Sequence, residues 1–190
     1  FAFQQLVGEP ERTRELAARG VTAIAYEMVQ DAGGGFPLLA PMSVIAGRLA
    51  VQVGAHLLTL PAGGNGTLLA GCPGAEPAVV LVLGGGHAGA NAATVAAALG
   101  ARVTVLTRSA SKRDALAAHL GSAVEVGLAS PEVIERHALA ADLVVGAAFV
   151  PGTATPKLLP RTLVRRMKPR SVIVDIAIDG GGVAETSRPT

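Results

Sequence analysis

The residues best suited to chemistry are three glycines, Gly84, Gly86 and Gly89, in a G-x-G-x-x-G pattern. Apolar residues typical of a buried strand precede the pattern, and a helix-forming run, NAATVAAALG, follows it. In such a unit the first glycine permits a tight turn, the second lets backbone approach a pyrophosphate, and the third lets helix pack on strand. The helix N-terminus then offers free N–H groups to the phosphates, and we expect His87 and Ala88 to line them. A dinucleotide site is predicted, and a purely structural glycine turn is the alternative.

The end of the second strand bears on the choice of dinucleotide. An acid about 20 residues past the first glycine binds the adenine-ribose hydroxyls, whereas a cation accommodates a 2′-phosphate. Here the position holds Thr107, and Arg108, Ser109 and Lys112 follow it. Because a guanidinium can donate to two phosphate oxygens, these residues favour NADP(H) over NAD(H). An exposed polar turn with a neutral contact to NAD(H) is the alternative.

Two aspartates, Asp175 and Asp179, stand at the carboxyl end of the last predicted strand. Ligands of open α/β sheets bind at that end, so we predict that Asp179 belongs to the active site. Asp142, at the start of a strand, is predicted to be a local cap. No pair of side chains has the spacing of a metal site, so we expect no metal.

Composition excludes several classes of partner. The net charge is +2 and aromatic residues make up 3% of the chain, which argues against nucleic-acid binding. Polar residues interrupt the longest apolar runs, so no membrane span is predicted. Since Cys72 is the only cysteine, an internal disulfide is excluded and a reducing, cytoplasmic location is expected. Five cations cluster near the end of the chain and are interpreted as a solvated face, with anion or partner binding as the alternative. They are Arg161, Arg165, Arg166, Lys168 and Arg170.

Strand and helix patterns alternate through the second part of the chain with short connections. This alternation predicts an α/β fold, a Rossmann-type doubly wound parallel sheet with helices on both faces. The predicted strands are Val79 to Leu83, Arg102 to Leu106, Val124 to Val126, Leu143 to Gly146 and Ser171 to Ile176. The predicted helices are His87 to Leu99, Ser111 to Leu120, Pro131 to Ala140 and Pro160 to Met167.

The opening section has a different pattern. A short helix is predicted after Gly8, and VTAIAY, from Val21 to Tyr26, predicts a strand. Apolar residues then recur at helical spacing from Pro41 to Leu60, with small residues between them. This long helix precedes the sheet, and a Gly- and Pro-rich loop, Ala62 to Pro77, separates the two.

Several segments together resemble the bacterial alanine dehydrogenases, a family that shares its nucleotide domain with the NAD-binding subunit of proton-translocating transhydrogenases. The resemblance covers nearly the whole chain, in order. The segments are TAIAYEMVQ, LLAPMSVIAGRLAVQVGAHLL, LLAGCPG, VLVLGGGHAGANAA, FVPGTATPKLL, MKPRSVIVDIAID and SRPT.

The resemblance implies a division into three parts. Residues 1–40 would be a fragment of the substrate domain, residues 41–60 a connecting helix, and residues 61–190 the NAD(P)-binding domain. It implies reversible oxidative deamination of L-alanine or a similar small amino acid to a 2-oxo acid, in a homo-oligomer. Ser43 and Val150 match positions that line the cofactor, Ile176 is a further candidate contact, and Asp179 matches an aspartate beside the nicotinamide.

One departure from the family concerns the site itself. Gln5 stands where the family has a histidine that is thought to transfer protons, and glutamine cannot be a general acid or base near neutral pH. A relative with altered cofactor or substrate use is therefore expected. Two alternatives stay open, a transhydrogenase-type module and a nucleotide-sensing domain without turnover.

Overall fold

The computed structural model describes residues 1–150 and 152–189, with Val7 described by its backbone alone. Its centre is a five-stranded sheet in the order β3-β2-β1-β4-β5. Every neighbouring pair of strands is parallel. The strands are β1 (Val79–Leu83), β2 (Arg102–Thr107), β3 (Val124–Leu128), β4 (Leu143–Gly146) and β5 (Val172–Asp175).

Helices cover both faces of the sheet, which confirms the predicted fold class. The helices are α1 (Pro10–Ala18), α2 (Ala40–Leu57), α3 (His87–Ala98), α4 (Ala110–Leu120), α5 (Pro131–Ala140) and α6 (Arg161–Val164). Successive side chains of a strand point to opposite faces. Val80 and Val82 of β1 therefore join a core with α2, α3 and α4, whereas Leu81 and Leu83 join a second core with α5 and α6.

The central strand β1 explains why its sequence is a continuous apolar run. It pairs with β2 on one side and β4 on the other, and its residues 80–83 are buried. A parallel strand covered by helices on both faces has no solvent side, so alternation with polar residues is lost.

Small residues let α2 approach α3 and the sheet closely. A Cβ on Gly47 would overlap the carbonyl oxygen of Ala88 in α3, and a Cβ on Gly54 would lie 2.6 Å from Cδ1 of Leu143 in β4. The stripe of small residues predicted from the sequence is thus the contact between the long helix and the sheet. The opposite side of α2 exposes apolar side chains, including Ile45 and Leu49.

Two element predictions were wrong. Residues Val21 to Tyr26 form no strand: Ala25 makes one isolated parallel bridge to Ala2, and Val21 and Ile24 are exposed. A strand needs a ladder of backbone partners, which the described residues do not supply there. The helix predicted from Pro160 to Met167 is a single turn, Arg161–Val164. Beyond it the N–H groups of Arg166 and Met167 bond to carbonyls three residues back, so the chain continues in tighter turns.

Smaller differences concern the ends of elements. Helix α2 ends at Leu57 rather than Leu60, before the 3₁₀ turn Leu60–Ala62 that contains Pro61. Strand β3 continues to Leu128, because its last residues pair with the end of β2. No helix among the described residues is long and apolar enough to cross a membrane.

Candidate functional site

A cavity of about 330 Å³ opens at the carboxyl ends of β1, β4 and β5. This position lies between β1 and β4, where the strand order reverses and where open α/β sheets bind ligands. Four parts of the chain build the wall: the N-terminal segment, the start of α2, Ala88 of α3, and the residues after β4 and β5. Polar lining residues are Gln5, Glu27, Ser43, Thr153, Thr155 and Asp179.

The glycine turn stands beside this cavity, next to Ala88 of its wall, at the N-terminus of α3. Gly84 has φ +114°, and a Cβ there would lie 2.5 Å from the carbonyl oxygen of Ala147. A Cβ on Gly89 would overlap the carbonyl oxygen of Gly84. Gly86 instead has open space where its Cβ would point, and it caps α3, whose first N–H groups have no partner within the helix. The turn therefore presents open backbone at a helix N-terminus, with exposed His87 as the first helical residue.

The residues predicted to select the cofactor lie at the adjacent strand end. Thr107 ends β2 and is 5% exposed, and its Oγ1 lies 3.5 Å from where a Cβ on Gly85 would be. Ser109 caps α4 by accepting from the N–H of Lys112 at 3.4 Å. Arg108 and Lys112 are exposed. Within the described part of the chain neither has a carboxylate partner, whereas Arg113 pairs with Asp114 at 2.7 Å.

Asp179 lies on a 3₁₀ turn, Ile176–Gly180, that follows β5 directly. Its side chain is exposed and lines the cavity, as do Ile176 and Ala177 of the same turn. The N-terminal segment packs against this turn, since a Cβ on Gly8 would lie 2.6 Å from the carbonyl oxygen of Asp179. Gln5 and Asp179 therefore share one cavity although they are far apart in sequence.

Glu27 is a site residue that sequence analysis missed. It is 5% exposed, lines the cavity, and accepts hydrogen bonds from the N–H groups of Gln4, at 3.1 Å, and Gln5, at 2.7 Å. Gln5 has φ +50° and ψ +37°, a left-handed conformation that is uncommon for residues other than glycine. The Glu27 carboxylate thus holds the backbone at the residue that faces the cavity. No sequence pattern signalled this, because the two donors lie 23 and 22 residues away in the chain.

The structure brings most of the predicted residues to one end of the sheet. Ser43, Ala88, Ile176 and Asp179 line the cavity. Val150 is half-buried and is not part of the wall, which its neighbours Phe149 and Gly152 supply. Pro151 and Thr190, in the matched segments FVPGTATPKLL and SRPT, lie outside the described residues.

The charge of the cavity wall is negative. Glu27 and Asp179 are its two acidic side chains, and no Lys, Arg or His lines it among the described residues. Across residues 1–150 and 152–189, no group of three His, Cys, Asp or Glu side chains could hold a metal ion. Asp142 lies at the other end of the sheet, where it accepts from the N–H of Val79 at 2.9 Å and pairs with Lys168 at 2.9 Å.

A parallel sheet in this strand order, with a glycine turn at the switch point, defines a dinucleotide-binding α/β domain. Residues 50–190 match the family model described as alanine dehydrogenase/PNT, C-terminal domain. The chain belongs to this family. Two alanine dehydrogenases are similar over all 190 residues, that of Halomonas elongata at 47% identity and that of Mycobacterium tuberculosis at 50%.

Solved structures agree with this assignment. An L-alanine dehydrogenase structure superposes on 97% of the chain with a TM-score of 0.88 and 45% identity. The transhydrogenase from Sinorhizobium meliloti superposes on 98% of it with a TM-score of 0.77 at 24% identity, which shows a shared fold. The chain spans about half the length of the curated relatives it matches, 51% in both alanine dehydrogenases above.

Replacing Glu27 by glutamine tests the buried carboxylate. A glutamine side chain has one acceptor oxygen, and its NH2 group would stand against one of the backbone N–H groups that now donate to Glu27. We therefore expect Glu27→Gln to lower the free energy of unfolding by about 1–3 kcal/mol. Exposed Glu9→Gln is the matched control and should change it by less than about 0.5 kcal/mol. Urea unfolding at pH 7 measures both. Equal stability of the two variants would contradict the assigned role.

Proposed function

We propose that this chain is the nucleotide-binding part of an NAD(P)-dependent amino-acid dehydrogenase of the alanine dehydrogenase type. Residues 61–190 would bind the dinucleotide, residues 41–60 would connect two domains, and residues 1–40 would belong to the substrate domain. The observation that carries the proposal is the pairing of an open glycine turn at Gly84–Gly89 with a cavity that holds Asp179. Together they provide a phosphate site and an adjoining reaction chamber.

The residues present fit a dinucleotide. The N–H groups at the start of α3 and the open space above Gly86 suit a diphosphate. From that turn the wall continues through Ala88 and Ala147 to Ile176. Apolar contacts of this kind would hold a flat ring and exclude water beside it. When bound, a nicotinamide dinucleotide supplies the hydride acceptor or donor.

In the proposed reaction, the α-carbon of an amino acid gives up a hydride to the oxidised dinucleotide and its nitrogen gives up a proton to water, which leaves an imine. Water then replaces the nitrogen, so that a 2-oxo acid and ammonia leave. Asp179 would accept hydrogen bonds from this water or from the amino group at the cavity wall. The negative wall favours cationic nitrogen, and Gln5 can orient a polar group but cannot carry the proton. Asp179 is thus the exposed titratable group that the described wall offers to the reaction.

The full-length protein tests this proposal. We expect oxidation of NADH or NADPH that depends on both ammonium and a small 2-oxo acid such as pyruvate, followed at 340 nm. Asp179→Ala should lower kcat by about 100-fold or more, since acid–base and orienting groups contribute on that scale. Asp114→Ala, an exposed aspartate on α4, is the control and should leave kcat unchanged.

Other outcomes of the same assay support the alternatives. Hydride transfer between two nucleotides without ammonium would support a transhydrogenase-type module, whose fold the chain shares. Cofactor binding without any turnover would support a nucleotide sensor, which the loss of a titratable side chain at Gln5 favours. An Asp179→Ala protein with intact turnover would contradict the role of Asp179.

We further propose that NADP(H) is preferred over NAD(H). The support is the absence of an acid at Thr107, together with the exposed side chains of Arg108 and Lys112 beside the glycine turn. The hydroxyl of Ser109 and the N-terminus of α4 lie in the same place. A 2′-phosphate would find two cations that are not engaged by carboxylates within the described residues.

Fluorescence titration with NADPH and NADH measures this preference. We expect Arg108→Ala to weaken NADPH binding about tenfold, or about 1.4 kcal/mol, and to leave NADH binding nearly unchanged. Arg113→Ala, on the same helix but paired with Asp114, is the matched control and should alter neither. Tighter binding of NADH than NADPH by the unmodified protein would contradict the proposal.

We also propose a homo-oligomer in the cytoplasm. Helix α2 exposes a row of apolar side chains on the side away from α3, with Ile45 65% and Leu49 52% exposed, followed by Val53 and Leu57. A second copy of this row would cover it. The lone, exposed thiol of Cys72 suits a reducing compartment.

Light scattering after size exclusion tests the assembly. Leu49→Glu should lower the mass of the full-length protein toward that of the monomer, because a charge would be buried at the contact. Leu68→Glu places the same charge at another exposed leucine, in a loop, and should leave the mass unchanged. A monomeric unmodified protein would contradict the proposal.

A further inference from the structure

The turn that carries Asp179 is held by charged side chains that lie outside the cavity wall. The Asp175 carboxylate ends β5 and accepts from the N–H of Ala177 at 3.2 Å through Oδ1. Through Oδ2 it accepts from the N–H of Val183 at 2.7 Å and of Ala184 at 3.3 Å. The Ser187 hydroxyl also donates to Oδ2. One carboxylate thus gathers donors from both ends of the segment 176–187.

Glycines on two sides leave room for this carboxylate. Gly146 of β4 is the register partner of Asp175, and a Cβ there would lie 2.8 Å from Oδ1. A Cβ on Gly182 would lie 2.6 Å from Oδ2. The backbone is therefore packed around Asp175, so the group cannot move without moving the turn.

Lys157 holds the carbonyl groups of the same segment. Its ammonium donates to the carbonyl oxygens of Gly181, of Gly182 at 2.9 Å and of Ala184 at 3.4 Å. The residue two positions earlier, Thr155, donates its N–H to the carbonyl oxygen of Gly180 at 2.8 Å. The Asp175 carboxylate thus binds three N–H groups of this segment, those of Ala177, Val183 and Ala184. The Lys157 ammonium binds three of its carbonyl groups.

We propose that Asp175 and Lys157 are positioning residues that fix the turn Ile176–Gly180, so that the Asp179 carboxylate faces the cavity. The inference rests on the function proposed above for Asp179. Asp179 itself makes no side-chain hydrogen bond within the described residues, so its direction depends on the backbone that carries it. A displacement of about 1 Å at a reacting group can cost about 100-fold in rate.

The opposite end of the sheet offers a matched control. Asp142 is buried, whereas Asp175 is half-buried. Asp142 likewise accepts from a backbone N–H, that of Val79 at 2.9 Å, and it pairs with a lysine, Lys168, at 2.9 Å. It touches no cavity residue given above. Asp142→Asn should therefore lower the melting temperature of the full-length protein and leave kcat within about twofold of the unmodified value.

The test compares kcat and KM in steady-state assays well below the melting temperature. Asp175→Asn should lower kcat by about tenfold or more with KM for both substrates within about twofold, since the group orients and does not bind. Lys157→Met should lower kcat by about threefold, and Lys157→Arg should restore it, because Lys157 is exposed and its bonds are weaker. Lys157→Met also provides a variant whose folding is not at risk if Asp175→Asn fails to fold.

A double-mutant cycle separates positioning from a general structural role. If Asp175 acts through Asp179, the double variant Asp175→Asn, Asp179→Asn should have the kcat of Asp179→Asn alone, within about twofold. If the two substitutions instead lowered kcat by factors that multiply in the double variant, the proposal would be overturned. An equal loss of kcat in Asp142→Asn, or an unchanged kcat in both Asp175→Asn and Lys157→Met, would overturn it as well.

Hydrogen exchange distinguishes failure of this inference from failure of the proposed function. Asp175→Asn should speed amide exchange at Ala177, Val183 and Ala184, whereas Asp142→Asn should not. If exchange is faster in Asp175→Asn but Asp179→Asn keeps its turnover, Asp175 does hold the turn and the proposed role of Asp179 is wrong. Unchanged exchange in Asp175→Asn would show that Asp175 does not hold the turn, which would refute the inference.

Discussion

The close approach of two backbones at the switch point is the constraint on which the site depends. The turn after β1 passes so near the end of β4 that no side chain fits between Gly84 and the carbonyl of Ala147. This contact lets α3 start directly after the carboxyl end of β1, with its N-terminus open above Gly86. The chain after β1 leads to α3 on one face of the sheet and the chain after β4 leads to α6 on the other, so a crevice is expected where the strand order reverses. Any side chain at Gly84 would push these two walls apart.

The rest of the site is held by carboxylates that bind backbone N–H groups. Glu27 fixes the left-handed backbone at Gln5 on one side of the cavity, and Asp175 fixes the turn that carries Asp179 on the other. Such bonds to an ionised acceptor are stronger than those between neutral groups. The side chains of Gln5 and Asp179 are open to a ligand in the cavity. The backbone that carries each of them is held in place by these hydrogen bonds.

The sequence was sufficient for the sheet and for the residues close to it. Apolar runs such as Val79 to Leu83 predicted strands because parallel strands are buried on both faces, and the family model and the L-alanine dehydrogenase structure confirmed the assigned class. VTAIAY was predicted as a strand from its residue types, but pairing depends on a neighbour, and among the described residues only Ala2 pairs with it. Glu27 and Asp175 were missed as organisers of the site because most of their partners are backbone N–H groups, which leave no trace in residue identity. The role of Thr107 and Arg108 in choosing the cofactor stays a prediction.

A crystal structure of the protein with NADPH tests the central claim most directly, namely that the glycine turn and the cavity form one dinucleotide site. We predict density for the diphosphate against the N–H groups at the start of α3, with the nicotinamide ring in the cavity beside Ile176 and Asp179. The 2′-phosphate is expected within hydrogen-bonding distance of Arg108. Two results would contradict the account. One is a diphosphate bound elsewhere, such as at the amino ends of the strands near Arg102 and Lys168, and the other is a nicotinamide ring outside the cavity.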